Sequence, residues 1–460
     1  MHRGSQTRAV QHRVQTCIAQ PATDAFFDLL TGPRLLEGGD APAPHSRNRL
    51  FPQRKVLSMF CTQVLSADRS CQRAVDGEAV RRLAHDLPPC SSDTGGYCKA
   101  RQRLPMDIPM TLARDTGTLV STAIPNHWRW QNRRVWLVDG TTLSMPDTLA
   151  NQIRWPQPAT QPPGLGFPQC RMVGLISLGS GALCDAAIAP CQGKGSDEQT
   201  LLRTLAPRLA AGDIVVGDAY FPTYFLLCWL VAHGVDGVFE QFGARRRTTN
   251  FTLGQTLGPR DHRILWCRPD RPDWMTAVDY AAVPVTLMVR ELAAGGKILV
   301  TTLLCPNRYP KPAISALYRR RWSVELDLRN IKTTLGMEQL SCKSPAMVEK
   351  EIWVYLLAYN LIRLLMAQSA LLADQVPRQL SFKHAVQLWT LWQAYRDALA
   401  AASDMAALLA LMAEQRVGRR PGRIEPRALK RRPRNFPLLM EPRVLARQEV
   451  RLHGHPKKAK

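Results

Sequence analysis

Paired cysteine motifs are missing from this chain: its 12 cysteines, from Cys17 to Cys342, are scattered without a CxxC pair or a Cys/His cluster. That argues against a zinc site and a disulfide framework, and for reduced thiols in a cytosolic compartment. The N-terminus carries no long apolar run, so secretion is not expected. The most membrane-like stretch, Ile352 to Leu372, is interrupted by Asn360 and Arg363 and has no second span to support it. It reads as a buried core helix, and no membrane partner is expected. Acidic residues are scarce as well: 37 Asp plus Glu face 61 Lys plus Arg, a net charge of +24. An excess that large points to a polyanionic partner, most often nucleic acid, although ribosome-associated and membrane-surface proteins share it. The apolar share of 45% and charged share of 21% are ordinary for a globular protein. A chain of 460 residues has room for roughly two to four domains.

What is present changes character along the chain. Residues 1–128 read as a helical N-terminal domain with many Arg residues, its first ~50 residues mixed and partly disordered. Within it Val56, Met59, Phe60, Val64 and Leu65 form one helical apolar face, and Pro88 to Gly96 read as a loop. The period then shifts. Arg134 to Val138 is a short apolar β run ending in Asp139-Gly140, and Met172–Leu178 and Leu183–Ile188 flank a Gly-Ser-Gly hairpin signal. Ser196-Asp197-Glu198 can cap a helix with Ser at the N-cap, and Asp213 to Gly217 is a further strand ending at Asp218. Residues 243–311 break this rhythm and read as an all-β insertion within a domain spanning 129–345. Helices are expected over 346–415. From Arg416 to Lys460, 15 Lys plus Arg against 3 Glu give a net +12, which reads as an extended or partly ordered basic arm along a phosphate backbone.

The most informative run is Tyr318 to Lys332, which has no Pro or Gly and reads as helix. Leu317, Val324, Leu328, Ile331 and Leu335 form one apolar stripe. Tyr318, Arg321, Glu325 and Lys332 form a second stripe over roughly 21 Å, one carboxylate among cations and a phenol. Such a face is either a solvated, charge-laced surface or part of a site. Asp139 and Asp218 each end a short apolar strand, where open α/β sheets place their sites. With Glu325 they could bind two Mg²⁺ ions about 4 Å apart for phosphoryl transfer. Oxygen-only ligands suit Mg²⁺ or Mn²⁺. Asp139-Gly140 can also be read as a turn and Asp218 as a helix cap. Asp147, Asp185, Asp213 and Asp327 are competing carboxylates, but Asp327 lies roughly 200° round the helix from Glu325.

The spacing of Tyr318, Arg321, Glu325 and Lys332 resembles the Y-R-E-K signature of DDE transposases of the IS-four type, bacterial insertion-sequence enzymes. Asp139 in VDGTTL and Asp218 in VVGDAYF resemble that family's two aspartates, and residues 243–311 its β-rich insertion. The wording around Asp218 departs from the D-R-E-A-D form, so further contacts are not carried over. The resemblance implies an RNase H-like mixed sheet, with Asp139, Asp218 and Glu325 as metal ligands for Mg²⁺ or Mn²⁺. It implies that Tyr318, Arg321 and Lys332 grip phosphates of the transposon end. It further implies nicking, a hairpin intermediate and strand transfer at terminal inverted repeats, and a homodimer on double-stranded DNA, transposon end and target, in the cytoplasm at the nucleoid. The family's insertion holds a flipped base on an aromatic side chain, for which Trp266 and Trp274 are candidates, ordinary core being the other role for each. The competing readings are an RNase H-like nuclease without strand transfer and an inactivated or domesticated DNA-binding protein.

Overall fold

The computed structural model describes residues 50–84, 86–162, 164–395, 403–418 and 439–455. The expected disorder of the first ~50 residues lies almost wholly outside that range, as does most of the basic arm. Its described part contains one helix, Arg443–His453.

Among the described residues four helices come first: α1 (Gln53–Leu65), α2 (Cys71–Ala84), α3 (Gly95–Arg103) and α4 (Asp107–Thr122). The sheet begins with β1 (Val135–Ser144). A short helix α5 (Leu149–Arg154) precedes the hairpin of β2 (Gln169–Ser177) and β3 (Leu183–Pro190). Then come α6 (Glu198–Leu205), β4 (Ile214–Gly217), α7 (Tyr224–Ala232) and β5 (Asp236–Glu240). The N-cap of α6 is Asp197, one residue later than expected: its carboxylate accepts from Thr200 N at 3.0 Å, whereas Ser196 Oγ donates to Gly193 O.

Residues 243–311 hold α8 (Gly243–Thr248), β6 (Gln255–Gly258), β7 (Asp261–Cys267), α9 (Ala277–Ala282), β8 (Thr286–Ala294) and β9 (Lys297–Thr301). The segment is therefore not all-β, and its strands do not form a sheet of their own. β9 pairs antiparallel with β5, and one nine-stranded mixed sheet results, in the order β3-β2-β1-β4-β5-β9-β8-β7-β6. β1 is antiparallel to β2 and parallel to β4, and β4 is parallel to β5. The architecture is mixed α/β.

Alternation along β1 sends Val135 and Leu137 into one core and Trp136 and Val138 into the other, so the sheet is covered on both faces. The first face carries α10 (Lys311–Arg319), α11 (Ser323–Arg329), the long α12 (Pro345–Leu372) and the N-terminal helices; the second carries α6 and α7. After α12 come α13 (Phe382–Tyr395) and α14 (Ser403–Glu414); Arg443–His453 is α15. α12 is the one described helix long and apolar enough to cross a membrane, and 89% of its most apolar window is buried inside the protein. Its two polar interruptions are structural. Asn360 Nδ2 donates to Ala113 O at 2.7 Å and Leu183 O at 2.8 Å, and its Oδ1 accepts from Leu183 N at 2.9 Å. Arg363 is ion-paired with Asp327 and donates to the Tyr359 hydroxyl at 2.9 Å. These bonds satisfy the polar groups that burial would otherwise penalise. Gly117 makes the α4–β3 crossing possible, since a Cβ there would lie 1.9 Å from Leu183 O.

Candidate active site

Asp139 does not end its strand. β1 continues to Ser144 because its far half pairs with β2 over Asp139↔Gly174 through Ser144↔Gln169, and the Gly140 that reads as a turn is extended backbone. What ends near Asp139 is the parallel pairing with β4, whose last matched pair is Leu137↔Val216. Two residues beyond that pair stand Asp139, still within β1, and Asp218, the residue after the last of β4. By alternation Asp139 shares the face of Leu137, the face that α11 covers. Asp218 follows the last residue of β4, as expected, and its Oδ1 accepts from Tyr220 N at 2.9 Å. It does not cap α7; Thr223 does.

The signature run is helical throughout but changes type: α10, one 3₁₀ turn over Arg320–Trp322, α11, and a π turn over Asn330–Thr334. Leu317, Val324, Leu328, Ile331 and Leu335 are all buried, so the apolar stripe is the packed face. Glu325 lies on the other stripe. Arg321 Nη2 donates to Glu325 Oε1 at 2.7 Å, and its Nη1 lies 3.8 Å from Asp139 Oδ2. Arg321 thus links Glu325 to Asp139. Lys332, on the wider π turn, sits 3.9 Å from Glu338 Oε1. Tyr318 is buried instead, its hydroxyl donating to Glu240 Oε2 at 3.1 Å, and burial pushes that hydroxyl far up. Asp327 points away into the core and pairs with Arg363 and Arg378.

Burial pushes the Asp139 carboxyl up from 3.8 to about 6; the Gly140 N–H at 2.8 Å pulls it down, the charges of Asp218 and Glu198 push it up and Arg321 pulls it down. Glu198, at the first turn of α6, was not singled out in the sequence because an acid there is the ordinary complement to a helix dipole. Its carboxylate packs against Gly140, where a Cβ would meet Oε1 at 2.2 Å. Burial and the nearby Asp218 raise Glu198 above the usual carboxylate range, with Arg171 at 3.9 Å opposing.

The two tryptophans are placed differently. Trp266 is buried, its indole N–H donates to Glu291 Oε1 at 2.9 Å, and Arg245 covers its ring at 3.8 Å. That is a core position, closed to a stacking base. Trp274 is 47% exposed, with Arg203 over its ring at 4.1 Å, so one ring face is committed.

The donor set of Asp139, Asp218 and Glu325 is all carboxylate, which fits a hard divalent cation such as Mg²⁺ or Mn²⁺. The Arg321 guanidinium contacts Asp139 and Glu325 together, a cation already set among acids. Among the described residues, no three His, Cys, Asp or Glu side chains converge closely enough to hold an ion without movement.

Asp139 in β1, Asp218 just past β4 and Glu325 on α11 lie at the part of the molecule that the comparisons with known proteins cover. The transposase DDE domain family model matches residues 130–361, half of the chain and a range that includes Asp139, Asp218 and Glu325, and the chain belongs to that family. It is similar to the transposase InsG for insertion sequence element IS4 of Escherichia coli strain K12, 28% identical over 296 residues, 62% of this chain and 64% of that protein. The aligned stretch therefore spans less than two thirds of that relative's length. It is also similar to the transposase for insertion sequence element IS421 of Escherichia coli, 34% identical over 76 residues, 16% of this chain and 20% of that one. Among solved structures, a chain of the cryo-EM piggyBac transposase synaptic complex with hairpin DNA aligns over 86% of both chains at 10% identity and a TM-score of 0.42.

Proposed function

We propose that this protein is a metal-dependent DNA transposase that excises an insertion sequence at its terminal inverted repeats and joins it to target DNA. The observation that carries the reading is the matched placement of Asp139 and Asp218, two residues beyond Leu137↔Val216, with Glu325 tied to Asp139 through Arg321. The antiparallel β1-β2-β3 meander continued by parallel β4 and β5 supports an RNase H-like reading of the sheet. Residues 243–311 are then an insertion that widens it.

Asp139, Asp218 and Glu325 would hold divalent ions, which would supply Lewis-acid activation of the attacking oxygen and stabilisation of the leaving one. The chain's own part is positioning. Arg321 gives up the carboxylates and turns its planar fork to a phosphate, for which guanidinium geometry is suited. Lys332 adds a point charge further along the same helical run. Tyr318, held by Glu240, braces the segment from beneath and reaches a phosphate only when that bond is released. Nicking, a hairpin intermediate and strand transfer follow in that order on double-stranded DNA. The protein acts as a homodimer, in the cytoplasm at the nucleoid. The helices ahead of β1 and the basic residues 416–460 bind DNA outside the site, which suits the net charge of +24.

The test is cleavage of DNA carrying the element's ends in the presence of Mg²⁺ or Mn²⁺. Wild type nicks and then yields hairpin and joined products; Asp139→Ala does neither. Equal nicking by Asp139→Ala overturns the assignment, and cleavage with no hairpin or joined product limits the enzyme to hydrolysis.

A further inference from the structure

Arg69, in the segment between α1 and α2, is a cation that the fold brings against the end of the signature run. Its guanidinium lies over Gly336, four residues past Lys332: a Cβ there would meet Arg69 Cζ at 2.1 Å, Nη2 at 2.3 Å and Nη1 at 2.4 Å. Glycine alone admits that approach, and it also suits the φ of 83° at this position. Among the described residues the half-buried guanidinium makes no hydrogen bond or ion pair, and its Nε is buried without an acceptor. Tyr355 of α12 adds a second unpaired donor. It is 1% exposed, and its hydroxyl has no hydrogen-bond partner among the described residues. Burial and Glu351 push that hydroxyl up while the Arg69 charge pulls it down, so phenol and guanidinium lie within electrostatic reach of each other. Glu351 is committed elsewhere, accepting from Ser341 N at 3.0 Å, Ser341 Oγ at 2.7 Å and Cys342 N at 2.9 Å. A guanidinium and a phenol, both donors without an acceptor, are together stabilised by an anion with several oxygens, as a phosphate has.

We propose that Arg69 and Tyr355 bind a backbone phosphate of DNA beside Gly336, continuing past Lys332 the line of cations on the signature run. This rests on the DNA-transposase reading above and extends it to residues outside that run. Lys332 has only a 3.9 Å contact with Glu338, so two cations from different parts of the chain are available to one stretch of strand. The segment between α1 and α2 then fixes the register of the DNA relative to Glu325, since phosphate contacts position a duplex without reading its bases.

The experiment is binding of the full chain to end-containing duplex DNA across a salt series. Arg69→Met is expected to weaken binding by about 5-fold or more at low salt. It should also lower the slope of log affinity against log salt by about 1, as for one lost phosphate contact. Tyr355→Phe removes a neutral donor and keeps the packing, so about 3-fold is lost with the slope unchanged. A single methylphosphonate, neutral in place of one phosphate, is walked along the end; at one position it weakens wild type and leaves Arg69→Met unaffected. Wild-type affinity and slope in Arg69→Met overturn the proposal. So does wild-type affinity in Tyr355→Phe, which remains the test if melting shows that Arg69→Met does not fold. Inorganic phosphate alone is the second arm, followed by phosphorus NMR line broadening. If it binds wild type but not Arg69→Met while their DNA slopes agree, the site takes a free anion and the DNA assignment is overturned. If wild type itself has no affinity for end-containing DNA, the transposase reading falls, an outcome distinct from wild-type behaviour in the variants.

Discussion

Arg321 Nη2 donates to Glu325 Oε1 across one helical turn at 2.7 Å while its Nη1 stands 3.8 Å from Asp139 Oδ2. One guanidinium thus neutralises two carboxylates that the proposed chemistry needs for a cation. The same pairing keeps two acids near each other without an ion. It also has to open before the site can work.

Arg321→Met should therefore separate two effects. Mn²⁺ affinity should hold or rise several-fold, since a competing cation is gone. Binding to end-containing DNA should weaken, with the slope of log affinity against log salt falling by about 1, as for the loss of one phosphate contact. Mn²⁺ titration and salt-dependent DNA binding measure the two separately. Weakened Mn²⁺ binding would mean that Arg321 organises the carboxylates and does not compete for them.

Asp139 gives the pH dependence. Its carboxyl is raised to about 6 in the fold from 3.8, so folding favours the protonated form. Its destabilising effect is absent below about pH 4, grows as pH rises from about 4 to 6, and is fully present above. Asp139→Asn should consequently be more stable than wild type at pH 7.5 without divalent ions, by on the order of 1–3 kcal/mol. The two should melt together near pH 4. Melting curves across that range decide it, and a variant less stable at pH 7.5 contradicts the burial argument.

Asp327 is in the signature helix but serves the core. It is buried with Arg363 and Arg378, and Arg363 is buried too. Asp327→Asn leaves a buried guanidinium without its counter-charge, which should cost about 3–5 kcal/mol in denaturant unfolding. A cost below 1 kcal/mol, on the scale of an exposed pair, would show that water reaches the pair.

Gly117→Ala puts a Cβ 1.9 Å from the Leu183 carbonyl oxygen and 2.9 Å from Asn360 Nδ2. Neither backbone can yield without breaking the Asn360 bonds that join α12 to β3. The expected loss is about 3 kcal/mol by urea unfolding, although alanine is the better helix former.

Much of the site was legible because its signals are local. The spacing from Tyr318 to Lys332 and the stripe from Leu317 to Leu335 are helical periodicities, and the stripe is the buried face. Asp218 follows a short apolar run and comes directly after the strand that run forms. Asn360 and Arg363 marked Ile352–Leu372 as a core helix, and both are hydrogen-bonded inside it. Local signals misled where a distant strand sets the length of an element. Asp139-Gly140 has the composition of a turn, yet β2 pairs through it and carries β1 on to Ser144.

By itself, then, the sequence determined which residues are acids on strands, which helix face is apolar, and how the Tyr, Arg, Glu and Lys of the signature are spaced. Each of those follows from periodicity within one element. Tertiary structure alone decided that β1 and β4 pair as far as Leu137↔Val216, two residues before Asp139 and Asp218, that Tyr318 faces Glu240, that Trp266 is core, and that Glu198 closes on Gly140. The reason is physical: pairing register and the approach of a helix to a strand depend on contacts between segments far apart in the chain, and no local period encodes them.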